Sequence, residues 1–136
     1  MNTKALRLAA ILALAMALML PSMALGQAPA GTYTYTLAPN GTAVITGYQG
    51  SETALDIPST IAGARVTAIG NAAFHGRQDI TSVAIPEGVT TIGHSAFRDA
   101  RQLQGVTLPS TLVDIGESAF ENCFSLQSLV VPAGVT

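Results

Sequence analysis

Residues 106–120 read Val-Thr-Leu-Pro-Ser-Thr-Leu-Val-Asp-Ile-Gly-Glu-Ser-Ala-Phe, and 23 residues earlier the chain writes Val-Ala-Ile-Pro-Glu-Gly-Val-Thr-Thr-Ile-Gly-His-Ser-Ala-Phe. The same phrase restarts at Leu129 as Leu-Val-Val-Pro-Ala-Gly-Val. Ile-Gly begins at Ile69, Ile92 and Ile115, and Ala-Phe at Ala73, Ala96 and Ala119. A fixed period of this size is a strong constraint. A unit this short cannot bury its own apolar side chains, so the units must stack on one another as a solenoid.

Within a unit the apolar positions are Leu103, Val106, Leu108, Leu112, Ile115, Ala119 and Phe120, with Ile80, Val83, Ile85, Val89, Ile92, Ala96 and Phe97 one unit earlier. Neither helical spacing nor strict alternation fits all of them, whereas a closed coil with several flat sides does. Val106-Thr107-Leu108 alternates and favours a strand, which Pro109 ends because it has no N–H to give a neighbour. Gly70, Gly93 and Gly116 are read as tight corners with positive φ. The Ser118-Ala119-Phe120 segment is read as a short helical or 3-10 turn. Stacking at about 4.8 Å would then bring Phe74, Phe97 and Phe120, and likewise Ile69, Ile92 and Ile115, into continuous buried columns.

The expected fold class is therefore a mostly β solenoid closed at its N-terminal side by a hairpin and stopping mid-coil at Thr136. Residues 32–54 supply the hairpin. Tyr33, Tyr35 and Leu37 alternate with Thr, Pro39-Asn40-Gly41 signals a turn, and 42–48 form a second β-rich run. Asn40-Gly41-Thr42 also fits the glycan acceptor pattern, although the turn alone explains it. Residues 55–136 divide into coils 55–82, 83–105 and 106–128, with 129–136 beginning another. The first coil is longer, since Pro58 and Pro86 lie 28 residues apart where later prolines lie 23 apart. The extra length falls between Ile61 and Thr67 and implies a small loop or wider turn.

Residues 1–26 read as an export signal. Lys4 and Arg7 precede the apolar run 8–20, Pro21 breaks it, and Ala24-Leu25-Gly26 is a small-x-small cleavage site. The run is shorter than the roughly 18 residues that span a bilayer, so no membrane segment is expected after cleavage. Residues 27–31 form a short tether. Loss of the leader leaves four Arg against eight Asp and Glu, near −4. That balance excludes a nucleic-acid partner, which needs a basic stripe.

The pattern Leu103-x-x-Val106-x-Leu108-Pro109-x-x-Leu112-x-x-Ile115-Gly116-x-x-Ala119-Phe120-x-x-Cys123-x-x-Leu126 resembles the BspA-type bacterial leucine-rich repeat. Residues 33–50, with Ile57-Pro58 and Ile69-Gly70, look like the N-terminal segment common in those proteins. The resemblance covers 33–136. It departs from the better-known leucine-rich repeat in lacking an Asn ladder, with Gly88, Thr111 and Gly134 where that Asn would fall. It implies a leucine-rich-repeat solenoid that is secreted or displayed at the cell surface. Some members of this family are adhesins for host matrix proteins or other bacteria. The expected function is thus a non-catalytic binding or adhesion module, with an extracellular protein as partner.

The residues point to no chemistry beyond that. His75 shares a column with Arg98 and Glu121, and His94 with Asn71 and Glu117; two such groups do not make the three or four convergent ligands of a metal site. Arg98 and Glu121 are expected to form an exposed cross-coil ion pair. Ser95 and Ser118 share a column with Ala72, and Ser110 with Glu87 and Ala133. No nucleophile elbow or phosphate-binding glycine pattern occurs. No catalytic, metal or cofactor site is expected. Cys123 is the sole cysteine and is expected to be buried.

The expected binding surface is the outward strand side: Thr81, Ser82 and Ala84; Gln104, Gly105 and Thr107; Gln127, Ser128 and Val130. These side chains are small and uncharged, without the Trp, Tyr or Arg anchors of hot spots. The patch amounts to roughly 200–300 Å², well under the ~800 Å² per partner of a stable interface, so tight binding would need multiplicity. The alternative is an assembly unit that docks another chain, or a second copy, through an open C-terminal edge including Phe120, Leu126, Leu129 and Val131. An exposed Phe124, in the column of Gln78 and Arg101, would favour that alternative.

Overall fold

The computed structural model describes residues 32–136. The signal and tether assigned to 1–31 lie outside the described residues. Strands β1 (Tyr33–Leu37) and β2 (Ala43–Tyr48) form an antiparallel hairpin. The Asn40 side-chain oxygen accepts hydrogen bonds from the Thr42 N–H (3.1 Å) and hydroxyl (2.8 Å), which fixes the turn. After the hairpin, successive coils stack in parallel.

Two sheets run along the stack. One is the expected strand face, β3 (Ala54–Asp56), β6 (Ser82–Ala84) and β8 (Gly105–Thr107), paired as Leu55↔Val83↔Val106. The strand lies one residue earlier than Val106-Thr107-Leu108 suggested. The other sheet was not anticipated. It joins β2 to β5 (Ala64–Ile69), β7 (Thr91–Ile92) and β9 (Asp114–Ile115), in the register Ile45↔Ile69↔Ile92↔Ile115. The hairpin thus joins the solenoid as its first rung, and Ile45, Ile69 and Ile92 are fully buried while Ile115 is half-buried.

The glycine column between this sheet and the turn needs a different explanation from the one its sequence suggested. Gly70, Gly93 and Gly116 do not have positive φ. They are required because stacked backbones touch there: a Cβ on Gly93 would lie 2.6 Å from the Asn71 nitrogen and 2.7 Å from the Gly70 carbonyl carbon. Positive φ occurs two residues later, at Ala72, Ser95 and Ser118 (55°, 55° and 59°). It occurs again in the column Gly76, Asp99 and Asn122 (72°, 61° and 61°), whose residue types are those that tolerate this region.

The segment read as a short helical turn is consequently a ribbon of successive turns. Even-numbered amides of the second coil bond back within the ribbon, Arg98 to the Ser95 carbonyl at 3.1 Å and Ala100 to that of Phe97 at 3.1 Å. The odd-numbered amides of Ser95, Phe97 and Asp99 donate instead to the carbonyls of Glu117, Ala119 and Glu121 on the next coil. Alternating backbone conformation aims alternate N–H groups along the stacking axis, so the turn side is stitched as the strands are. Phe74 and Phe97 are wholly buried. Their rings stack in parallel at 5.0 Å, and Phe97 stacks on the half-buried Phe120 at 5.4 Å.

The five extra residues of the first coil form a second hairpin. β4 (Thr60–Ile61) pairs antiparallel with the start of β5 through the two-residue turn Ala62-Gly63, both at positive φ. That is the mirror-image turn whose twist suits tight hairpins. Cys123 is half-buried rather than buried. Its thiol lies 3.1 Å from the Phe97 carbonyl, and burial raises its pKa.

Arg77 fastens the hairpin to the first coil. Its guanidinium donates to the carbonyls of Tyr48 and Gly50, grips both Asp79 oxygens (2.9 and 2.7 Å), and lies 5.1 Å over the Tyr48 ring. The hydrogen bond from Arg77 holds the Asp79 carboxyl below its ordinary pKa. Arg77→Ala is expected to lower unfolding stability by about 1–3 kcal/mol, read by urea denaturation. A depressed carboxylate contributes stability above its unfolded pKa, near 4, and loses it as pH falls further. The deficit of the variant should therefore shrink below pH 4.

Candidate functional site

The strand face forms a shallow groove of about 310 Å³ lined by Leu55, Ser82, Ala84, Gly105, Thr107, Ser128 and Val130, with Val83 and Val106 as its floor. It continues past Thr107 and Val130 into a second depression of about 480 Å³ reaching Glu87, Ser110 and Pro132. Six of the nine side chains expected on the binding surface line the first groove. Thr81, Gln104 and Gln127 lie one residue outside it. Thr81 is committed to structure, its hydroxyl bonding the Thr53 carbonyl at 3.2 Å. Residues 127–130 carry no strand, and Val130 is 83% exposed.

The wall of the groove is polar where it meets the second depression. The Glu87 carboxylate accepts from the Ser110 N–H (2.9 Å) and hydroxyl (2.8 Å), and these bonds lower its pKa. Sequence reasoning placed the two residues in one column but not in contact. An acceptor one period before a hydroxyl was the available signal. Both carboxylate oxygens are occupied in this way, which leaves Glu87 a rim residue rather than a free base.

The other chemistry-bearing residues lie along the turn side. His75 Nε2 is 3.3 Å from Asp99, whose other oxygen accepts from the Asn122 amide at 2.9 Å. These hydrogen bonds, Asn122 first, hold the Asp99 pKa down. Arg98 and Glu121 are paired at 3.3 Å as expected. With both side chains about two-fifths exposed, the pair contributes at most ~1 kcal/mol. The N–H of His94 donates to the Asn71 side chain at 2.9 Å. Among the described residues no group of three His, Cys, Asp or Glu converges as a metal site would require, and no helix is long and apolar enough to cross a membrane. Phe124 is 73% exposed, with the Arg101 guanidinium 6.0 Å over its ring.

Parallel rungs, a groove along the strand face and a phenylalanine column define a leucine-rich-repeat solenoid. Residues 54–136 match the BspA type leucine rich repeat region in six copies, and the chain belongs to that family. Solved structures agree. A leucine-rich repeat protein of T. pallidum is 34% identical with a TM-score of 0.77, over 80% of this chain and 51% of its own length. A leucine-rich repeat protein of Bacteroides capillosus is 35% identical with a TM-score of 0.73, over 77% of this chain and 81% of that one. A leucine rich cell surface protein of Faecalibacterium prausnitzii is 35% identical with a TM-score of 0.68, over 73% of this chain and 28% of that one. The chain thus spans about half the length of the T. pallidum protein. No curated protein matches it. The repeat family suggests a protein-interaction module.

Proposed function

We propose that this chain is a non-catalytic recognition module exported to the cell surface or beyond, where its strand face meets an extracellular protein such as a host matrix component. The groove along β3, β6 and β8 carries the reading. It is continuous, open and lined by small uncharged side chains that an extended segment can approach closely. Its modest size and lack of aromatic anchors favour weak single contacts multiplied by copy number. The cell-surface neighbour and the leader-like 1–26 support the location.

Surface plasmon resonance against immobilised matrix proteins, collagen among them, tests this. The full chain should bind with dissociation constants weaker than about 1 µM, and a tetramerised form should bind at least ~100-fold more tightly. Thr107→Arg, which fills the groove, should abolish both signals. Monovalent binding tighter than 1 µM, or no gain on tetramerisation, would sink the proposal. The exposed Phe124 favours a second role in assembly.

A further inference from the structure

Charge is divided unequally between the faces of the solenoid. The four Arg of residues 32–136 all lie away from the strand-face groove. Arg65 is on β5 in the other sheet, and Arg77 is held in its clasp with Asp79. Arg98 and Arg101 stand on the turn side, one paired with Glu121 and the other laid over Phe124. Two carboxylates on the strand face are left without a cation. Asp56 pairs in register with Ala84, and Ala84 with Thr107, so the exposed Asp56 side chain points outward beside theirs. Glu87 lines the second depression. Among the described residues neither carboxylate forms an ion pair.

We infer that the groove takes an extended segment of small uncharged residues bearing two Lys or Arg side chains, one reaching Asp56 and the other Glu87, which rests on the recognition role proposed above and specifies the chemistry of the partner. Small residues are needed to lie on the Val83 and Val106 floor. Asp56 is one coil before Ala84 and Glu87 three residues beyond it, so the carboxylates stand roughly 10–12 Å apart. Residues three apart in an extended chain span about 10 Å. Glu87 is prepared for a cation. The Ser110 N–H and hydroxyl occupy one acceptor site on each of its oxygens, and a carboxylate has about four. The same two bonds hold the side chain in place, so less freedom is lost on pairing. A neutral segment would displace water from both carboxylates and return nothing, and an acidic one would be repelled.

The test is a titration of the ¹⁵N-labelled full chain with three synthetic peptides of Ala, Gly and Ser. They differ only at two positions three residues apart, which are both Arg, both Gln or both Glu. With the Arg peptide, saturable shifts should appear at the amides of Gly105, Thr107 and Ser110, half-complete at about 1 mM or below. The Gln peptide should bind about 5–10-fold more weakly, since each exposed ion pair contributes up to about fivefold. The Glu peptide should not bind. Asp56→Asn combined with Glu87→Gln should erase the difference between the Arg and Gln peptides. Salt raised to about 0.5 M should narrow the same gap in the unaltered protein, a readout that needs no variant to fold. Equal binding of the three peptides at those amides would overturn the inference and leave the groove a recognition face without charge preference. No shift there with the Arg peptide up to ~5 mM would also overturn it. Matrix-protein binding that Thr107→Arg abolishes would then show that recognition by the strand face stands without it.

Discussion

Phe97→Ala should lower the unfolding free energy by about 3–5 kcal/mol, the largest loss expected from any single truncation in this chain. The ring is fully buried and stacked on both faces, at 5.0 Å from Phe74 and 5.4 Å from Phe120. Removing it leaves a void that backbone bonds above and below prevent from closing, because Phe97 donates to Ala119 and Phe74 donates to Ala96. A domain of this size has a total stability of only about 5–15 kcal/mol, so the variant should be close to unfolding at 37 °C. Phe120→Ala is the internal control. Its ring is half-buried, and its loss should be smaller. Urea denaturation followed by circular dichroism checks both. An equal cost at the two positions would contradict the stacking order.

Gly93→Ala should cost close to the upper end of the ~1–3 kcal/mol that overpacking carries, or more. The obstacle is backbone rather than a flexible side chain, at 2.6 Å and 2.7 Å, so relief requires the first and second coils to separate. The control is Gly105→Ala, where the added methyl meets nothing within 4 Å. It should leave stability within about 0.5 kcal/mol of the parent. Thermal unfolding of the two variants side by side distinguishes close approach from conformational freedom, since neither glycine has positive φ.

The solenoid was legible because its core is written in phase. Side chains 23 residues apart occupy the same environment, and the Phe and Ile columns follow from that alone. The hairpin was legible from Asn40-Gly41 and the alternation before it. The second sheet was hidden because β7 and β9 are two residues each, too short to show alternation. The glycine column was read as conformational because sequence does not show how near the neighbouring backbone comes. The left-handed column nearest these glycines holds Ala72, Ser95 and Ser118, residue types that carry no such signal. The strand-face groove was visible in outline, since Ser82, Ala84, Gly105 and Thr107 flank the buried Val83 and the half-buried Val106. The Arg77 clasp and the Glu87–Ser110 contact were not, because both depend on side-chain reach rather than on period.

Hydrogen bonds on both the strand side and the turn side point along the stacking direction, from one coil to the next. Tension applied in that direction opens them a few at a time instead of shearing all of them at once. A solenoid of this kind therefore behaves as an extensible element, unwinding coil by coil. Each step converts about 5 Å of stacked height into roughly 75–80 Å of slack chain, so the molecule yields gradually under load instead of breaking at one force.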